Sequence, residues 1–221
     1  MSIYKSKHGI WLIEGDTHRT VWVEEKGSLY IDALIGFICD YINEGDTVVD
    51  VGANIGDHTF FYKEKVGANG RILAFEPDHD AFACLLLNCG YSKDFYEAGL
   101  GKSEENANII RHGNSGQNYL EPGDGSIKII TLDSLNLDKC NLIKIDVEGA
   151  ELEVLKGASE TIKKFKPVIV LEVIEEQLHR FNTTKGELMA YLHDLGYTII
   201  KSLRPDETID NARDILCTQG I

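Results

Sequence analysis

The sequence predicts an α/β fold, with a mostly parallel β-sheet and helices on both of its faces. Short apolar runs rich in β-branched residues alternate with amphipathic segments, which is typical of strands joined by crossover helices. The clearest run, Thr47–Val51, ends in a glycine-rich turn that leads into a helical pattern. A second run, Arg71–Phe75, ends in the acid Glu76. This order indicates a nucleotide-type ligand at the carboxyl edge of the sheet.

In the first half of the chain, each element follows from its apolar spacing and its breakers. The runs Ile10–Ile13 and Val21–Val23 flank a polar, glycine-containing turn and predict an N-terminal hairpin. Apolar residues at helical spacing predict a helix over Ile31–Ile42. The other elements in this half are the strand Thr47–Val51, a helix through Lys65, the strand Arg71–Phe75, a helix over Asp78–Cys89 and a strand over Asp94–Leu100.

The second half resumes the alternation after a degenerate polar stretch, Gly101–Gly125. Within it, Ile109–Arg111 predicts a strand, and Gly113–Asn118 predicts either a mobile segment over the site or a solvated loop. The other elements are strands over Ser126–Leu132 and Asn141–Asp146, a helix to about Phe165, the strand Lys166–Val173, a helix over Lys185–Leu195 and a final strand pair of Tyr197–Leu203 and Ile215–Thr218.

The composition is that of a globular protein with an acidic surface. The chain has 221 residues, of which 43% are hydrophobic and 26% charged, and its formal net charge is −14. We expect one domain over residues 1–221, with residues 1–30 as the hairpin extension and residues 31–221 as the core. The acidity and the lack of a Lys/Arg cluster argue against nucleic acid and anionic membranes as partners.

We expect a cytoplasmic protein with reduced cysteines. The five cysteines are scattered without a Cys-x-x-Cys pair, which predicts buried thiols rather than disulfides or a zinc site. The N-terminus has no apolar signal segment, and no run approaches the length of a membrane span. The oligomeric state is left open.

The turn after Val51 indicates the class of cofactor. A dinucleotide fingerprint needs Gly-x-Gly-x-x-Gly, but Asn54 and Asp57 occupy the second and third glycine positions, which disfavours an NAD-dependent oxidoreductase. The segment Asp50–Gly56 instead resembles the first motif of class I S-adenosylmethionine (SAM) methyltransferases. This resemblance implies that Asp50 and the loop handle the methionine end of SAM, while Glu76 suits the ribose diol. The predicted cofactor-binding residues are Asp50, Gly52, Ala53, Asn54, Gly56, Thr59, Glu76, Pro77 and Asp146.

Three segments together resemble the FkbM-type methyltransferases. They are Val49–Gly56, Ala74–Pro77 and Ile143–Ala158, and Thr131–Leu135 is also similar to the family's pattern. The resemblance covers about residues 46–173. It implies a SAM-dependent O-methyltransferase with a Rossmann-like seven-stranded sheet, whose acceptor is a hydroxyl of a sugar, a glycan or another small-molecule natural product. His58 departs from the family, in which an aromatic residue such as tyrosine is common at this place.

Methyl transfer to a hydroxyl needs in-line placement of the reacting groups and a base for the hydroxyl proton. Asp146 ends the fourth core strand and is expected at the junction of cofactor and acceptor, with Glu148 in the same cleft. Glu172 ends the next strand, where it either holds the acceptor or pairs with Lys144. His58 is a second candidate base, so the candidate catalytic residues are Asp146, Glu148, Glu172 and His58.

Three questions stay open at this point. No metal ion is predicted, although Mg²⁺ is an alternative because Asp146, Glu148 and Glu172 are hard oxygen ligands. Glu151 is expected to complement the N-terminus of its helix, and His79 is the one other histidine expected near the cofactor edge. The alternative function is that of a non-catalytic SAM-fold binding protein.

Overall fold

The central feature of the computed structural model is a seven-stranded, mostly parallel sheet. The structure describes residues 3–30, 33–204 and 207–219. The strands are β1 (Ile3–Lys5), β2 (Trp11–Ile13), β3 (Thr47–Val51), β4 (Arg71–Phe75), β5 (Phe95–Tyr96), β6 (Gly99–Leu100), β7 (Glu105–Ile110), β8 (Tyr119–Pro122), β9 (Ile127–Ile130), β10 (Leu142–Ile145), β11 (Val168–Glu172), β12 (Tyr197–Ser202) and β13 (Asp214–Gln219). The helices are α1 (Arg19–Lys26), α2 (Ala33–Cys39), α3 (Asp57–Val66), α4 (His79–Cys89), α5 (Glu151–Gly157), α6 (Ser159–Phe165), α7 (Glu175–Leu178) and α8 (Lys185–Asp194).

The strand order in this sheet is β12-β13-β11-β10-β3-β4-β5. Strand β13 is antiparallel to both of its neighbours, and the other pairs are parallel. The chain moves outward from β3 through β4 to β5 and then returns to β10 on the other side of β3. The order therefore reverses between β3 and β10, which is where open α/β sheets bind ligands. The predicted architecture, including its seven strands, is confirmed.

Alternation along the central strands divides the core between the two faces of the sheet. Val49 and Val51 pack into one apolar cluster, and Val48 packs into the other. Asp50 shares the face of Val48 and is fully buried. The β3–β10 register sets Lys144 beside Asp50, so a cation and an acid lie together within the sheet.

The predicted N-terminal hairpin exists, but its second strand was placed wrongly. Ile3 in β1 pairs with Ile13 in β2, whereas Val21–Val23 lies inside α1. The side chain of Asp16 accepts hydrogen bonds from the backbone N–H groups of His18 and Arg19, which favours a helical start there. Val23 then packs into the hairpin's apolar cluster, so tertiary contacts override the β propensity of this segment.

The predicted third strand, Asp94–Leu100, is divided between two sheets. Strand β5 pairs with β4 in the main sheet, while β6 pairs with β9 in a second sheet of order β6-β9-β7-β8. The predicted strand Ile109–Arg111 is the end of a longer strand, β7, and β8 was not predicted at all. This second sheet lies between β5 and β10 along the chain, so it is an insertion into the alternating pattern.

Two predicted helices need adjustment. The single helix predicted to end at about Phe165 is two helices, α5 and α6, which meet at Ala158. The predicted helix over Ile31–Ile42 is seen as α2, and Ile31 lies outside the described residues. All five cysteines are buried and free, as predicted. No helix within residues 3–30, 33–204 and 207–219 combines the length and the hydropathy that crossing a bilayer requires.

Candidate active site

A cavity of about 380 Å³ opens at the carboxyl edge of β3, β4 and β10. Its volume falls within the roughly 300–1,000 Å³ of small-molecule sites. The predicted site residues that line it are Gly52, Asn54, Glu76, Pro77, Asp146 and Glu148. The second sheet contributes an apolar wall that includes Ile109, Leu120 and Ile129. The cavity therefore lies between the ends of the parallel strands and the inserted sheet.

The glycine loop is locked against the strands on both sides of β3. The backbone N–H groups of Gly52 and Ala53 both donate to the Phe75 carbonyl at 3.0 Å. Gly52 has a φ of +79°, and a Cβ at this position would lie 1.9 Å from the Asp146 carbonyl oxygen. Asn54, with a φ of +49°, also occupies the left-handed region, which Asn tolerates better than most residues. Gly52 is required both for its backbone conformation and for this close approach.

Asp50 lies beneath the loop and does not line the cavity. Its carboxylate accepts a 2.6 Å hydrogen bond from the Thr59 hydroxyl, and Lys144 Nζ lies 3.5 Å away. Burial raises the pKa of Asp50, and Lys144 opposes that shift. Ala53, Gly56 and Thr59 also lie behind the cavity wall. These residues support the loop from below, whereas Gly52 and Asn54 face the cavity.

Lys144 connects the loop to the acid at the end of β10. Its Nζ donates to the Gly52 carbonyl at 3.2 Å and lies 3.3 Å from Asp146. Burial lowers the pKa of Lys144, but Asp146 and Asp50 raise it more, so the net shift is upward. Among the described residues, the ion pairs of Lys144 within 4.0 Å are with Asp50 and Asp146, and Glu172 acts on Lys144 only at longer range.

Glu76 lies at the end of β4 with both carboxylate oxygens facing backbone donors. Oε2 accepts from the N–H of Asn54 and Oε1 from the N–H of Asp78, each at 2.8 Å. Burial raises the pKa of Glu76 to about 7, against the effect of these hydrogen bonds. A carboxylate offers about four acceptor positions, so about two remain for hydroxyl donors in the cavity.

Three carboxylates converge where the predicted catalytic residues are expected. Oxygen atoms of Asp146, Glu148 and Glu172 all lie within 4.8 Å of one another. Burial, reinforced by Asp146, raises the pKa of Glu148 to about 8 and that of Glu172 to about 9. Oε2 of Glu172 is buried without a hydrogen-bond partner. At neutral pH Glu148 and Glu172 therefore favour their protonated forms.

Glu148 is held by residues that sequence reasoning did not identify. Its φ of +61° is rare for a residue with a side chain. The Gln177 side chain donates to its Oε2 at 2.5 Å, and Arg180 donates to its backbone carbonyl at 3.3 Å. The Arg180 guanidinium also packs over the Tyr119 ring at 4.7 Å, which joins the 3₁₀ turn after α7 to the second sheet across the cavity. No sequence motif near Gln177 indicated this role.

Glu151 and the two histidines lie away from the cavity. Glu151 is 1% exposed and accepts hydrogen bonds from the N–H groups of Val147 and Gly149, so it stabilises the turn just before its own helix. His58 contacts the Tyr62 hydroxyl at 2.9 Å, and burial holds its pKa well below the usual value. His79 is an exposed partner of Glu97. The geometry thus offers no support for His58 as a base.

The segment Gly113–Asn118, predicted as mobile or as a solvated loop, lies over the cavity. Ser115 begins a 3₁₀ turn and is buried. Its hydroxyl donates to Asp16 at 2.5 Å and lies within hydrogen-bond distance of Asn54 Oδ1, at 3.2 Å. Asp16 belongs to the N-terminal extension and Asn54 to the glycine loop. This contact joins three segments that are distant in sequence.

Comparison with known proteins identifies relatives of this chain. A family model described as "Methyltransferase FkbM domain" matches residues 50–199. Hexuronic acid methyltransferase AglP of Haloferax volcanii is 32% identical over 149 residues, which cover 62% of this chain and 60% of AglP. Methyltransferase sdnD of Sordaria araneosa is 26% identical over 198 residues, which cover 70% of this chain and 74% of sdnD. The chain therefore spans about 60% of the length of AglP.

Solved structures share the fold. A methyltransferase FkbM from Methylobacillus flagellatus has a TM-score of 0.50 at 20% identity, covering 78% of this chain and 43% of that chain. A SAM-dependent O-methyltransferase from Thermotoga maritima has a TM-score of 0.52 at 14% identity, covering 100% of this chain and 78% of that chain. The chain has the class I SAM methyltransferase fold.

Proposed function

Because the chain belongs to the FkbM methyltransferase domain family, whose members are SAM-dependent methyltransferases, we propose that it methylates a hydroxyl group. The proposed acceptor is a sugar, a glycan or another small-molecule natural product. The observation that carries this proposal is the cluster of Asp146, Glu148 and Glu172 on the cofactor edge of the sheet. An alcohol must lose a proton during attack, and this cluster contains a carboxylate suited to accept it.

Two features of the cavity support SAM as its ligand. The cavity extends from Glu76, which has acceptor positions left for a ribose diol, to Asp146 and Glu148. Gly52 packs closely against the Asp146 carbonyl and has no side chain, so the backbone of the loop itself lines the cavity. SAM supplies a methyl group that is already activated on a sulfonium centre. The residues of this chain therefore need to bind, to align the acceptor and to take up a proton.

The proposed roles of the acids follow from their surroundings. The Asp146 side chain is 38% exposed, and its carboxylate lies 3.3 Å from Lys144 Nζ at the proposed junction of cofactor and acceptor. Glu148 lines the cavity and has a pKa of about 8. A base with a pKa near the working pH is partly ionised and still accepts a proton readily. Glu172 stays protonated behind them and keeps a second negative charge from building up beside Asp146.

A sugar acceptor is supported by one relative. AglP is named a hexuronic acid methyltransferase, and this chain is 32% identical to it over 149 residues. The test is to incubate the protein with SAM and matched panels of neutral glycosides, hexuronides and amines, and to identify the methylated product by mass spectrometry. We expect a methyl ether, which survives mild alkali. A methyl ester, which alkali hydrolyses, or methylation of amines alone, would refute the proposal.

A further inference from the structure

The guanidinium of Arg19 lies over the glycine loop, although Arg19 comes from the N-terminal extension. Its Nε donates to Asp57 Oδ2 at 2.7 Å, and Asp57 is the first residue of α3, directly after the loop. The Arg19 side chain is 16% exposed and lines the cavity. It is thus a cation fixed beside the cofactor edge by a residue that the loop itself supplies.

The outer nitrogens of Arg19 are left for a ligand. Nη1 has one long contact, 3.5 Å to Asn114 Oδ1, and Nη2 has no hydrogen bond within the described parts of the chain. Gly116 lies against the same nitrogens. A Cβ at Gly116 would lie 2.8 Å from Nη1 and 3.4 Å from Nη2. Because glycine has no side chain, no Cβ occupies this position beside the two outer nitrogens of the guanidinium.

The other cations of the described cavity wall have close partners. Lys102 forms a 2.7 Å ion pair with Glu153, and Arg180 is held by Glu148 and the Tyr119 ring. Nη1 of Arg180 already contacts Glu148, whereas neither outer nitrogen of Arg19 has a hydrogen bond shorter than 3.5 Å among the described residues. A planar fork of this kind matches a carboxylate, which it can bind through two parallel hydrogen bonds.

The position of Arg19 indicates which carboxylate it takes. The proposed sites place the ribose at Glu76 on β4 and the reacting methyl group near Asp146 on β10. The glycine loop follows β3, which lies between these strands, so the sulfonium that joins ribose, methyl group and methionine chain would lie at the loop, in the cavity that Arg19 lines. We propose that Arg19 binds the carboxylate of the methionine part of SAM. This inference rests on the proposed use of SAM and extends it to a residue outside the family's matched segment.

The test compares two cofactors that differ only in this carboxylate. Binding of SAM and of decarboxylated SAM is measured by calorimetry with the wild-type protein and with Arg19→Gln. We expect the wild type to prefer SAM by about 10- to 100-fold, the range of a charge-assisted hydrogen-bonded pair. In Arg19→Gln the ratio of the affinity for SAM to that for decarboxylated SAM should fall to about one. The affinity for SAM drops, while the affinity for the decarboxylated form changes little. Arg19→Lys, which retains the charge but not the fork, should give an intermediate ratio.

Matched variants separate binding from structural support. Arg213→Gln removes an exposed cation that does not line the cavity, and it should keep the wild-type ratio. Asp57→Asn removes the negative charge that holds Nε, so it should lower the preference for SAM as well, by less than Arg19→Gln does. If Arg19→Gln weakened both cofactors alike, Arg19 would be a structural partner of Asp57 and the inference would be wrong.

Three further outcomes identify the source of any failure. A wild type without preference, combined with a selective loss of hexuronide over neutral glycoside turnover in Arg19→Gln, would assign Arg19 to an acceptor carboxylate and overturn the inference. If Arg19→Gln lost the preference for SAM over decarboxylated SAM, but the wild type methylated no hydroxyl, the inference would be upheld and the proposed acceptor class refuted. A wild type that binds neither cofactor would overturn both.

Discussion

Glu148 combines three properties that rarely occur in one residue. Its backbone is in the left-handed region, its side chain is 9% exposed, and its pKa is raised to about 8. Strain of this kind costs on the order of 1–3 kcal/mol and persists where the surroundings impose it. Here Gln177 and Arg180 impose it through direct hydrogen bonds. The arrangement aims a carboxylate into the cavity and is the residue-scale basis for a proton acceptor.

Replacing Glu148 tests this role. Glu148→Gln keeps the shape and a partner for Gln177 but cannot accept the hydroxyl proton, so kcat should fall by about 10²- to 10⁴-fold with little change in SAM affinity. Because the base must be ionised, wild-type activity should rise as the pH increases through about 8. The exposed Glu160→Gln serves as the control. Wild-type turnover in Glu148→Gln would assign the proton to another group.

Gly52 offers a second test at the residue scale. A Cβ in Gly52→Ala would meet the Asp146 carbonyl oxygen at 1.9 Å, and neither backbone can yield without moving the loop. We expect SAM affinity to fall by at least about tenfold, measured by calorimetry on a variant whose folding is checked by circular dichroism. Gly36→Ala is the matched control because nothing lies within 4 Å of a Cβ there. Unchanged affinity in Gly52→Ala would remove the loop from the cofactor site.

At the scale of elements, the N-terminal extension holds the segment Gly113–Asn118, which covers the cavity and is called the cover below. Ser115 reaches Asp16 and Asn54, and the N–H of Thr17 donates to the Gly113 carbonyl at 3.1 Å. These bonds tie the 3₁₀ turn to the residues just before α1 on one side and to the glycine loop on the other. The order of this segment therefore depends on residues nearly a hundred positions away.

Ser115→Ala removes the hydroxyl that makes this connection. We expect faster amide hydrogen exchange over residues 113–118 and SAM affinity lower by about two- to tenfold, the net value of one or two hydrogen bonds. Ser134→Ala removes a comparable hydroxyl from an exposed 3₁₀ turn and should change neither quantity. If exchange in residues 113–118 stayed at the wild-type rate, other contacts would be holding the cover.

The elements that sequence analysis predicted are those defined by local pattern. The strands β3, β4, β10 and β11 carry continuous apolar runs, and α4 and α8 have clear helical spacing, so their positions follow from residues a few places apart. Strands β7 and β8 carry mixed polar sequence and exist because they pair with each other and with β9. Their formation depends on long-range pairing, which a single sequence does not display.

The same division applies to the candidate site. Asp146, Glu148 and Glu172 were predicted because each ends a strand or follows one, and parallel strands end at one edge. Arg19, Gln177 and Arg180 were missed because they reach the cavity from segments without motifs. Asp50 and Thr59 fit their motif but lie beneath the loop, because alternation turns Asp50 toward the covered face of the sheet.

At the scale of the whole molecule, the three clustered acids must be neutralised by protons or by a cation. Lys144 lies 3.3 Å from Asp146, and Arg180 lies 3.7 Å from Glu148, so this chain supplies two cations of its own. We therefore expect activity to persist in excess EDTA and to be unchanged by added Mg²⁺. Loss of activity in EDTA that Mg²⁺ restores would instead assign the cluster to a divalent ion.

The raised pKa values also make the stability of the free protein depend on pH. In the unfolded chain Glu148 and Glu172 lose their protons near their ordinary value of 4.5, whereas in the folded protein they keep them to about 8 and about 9. The folded state thus binds more protons between these limits, and stability falls as the pH rises through that range. Above about pH 7 Glu148 and Glu172 contribute most clearly to this loss of stability, because most other carboxylates are ionised in both the folded and the unfolded state.

Glu172→Gln should flatten this decline. The amide resembles the protonated acid that the wild type keeps near neutral pH, so the variant avoids the cost of a buried charge as the pH rises to about 9. We expect its melting temperature to exceed that of the wild type at pH 9 and to differ less at pH 6, as measured by scanning calorimetry in matched buffers. The exposed Glu176→Gln should follow the wild-type profile. A profile of Glu172→Gln parallel to the wild type would mean that Glu172 is already ionised at neutral pH and that burial does not hold a proton on it.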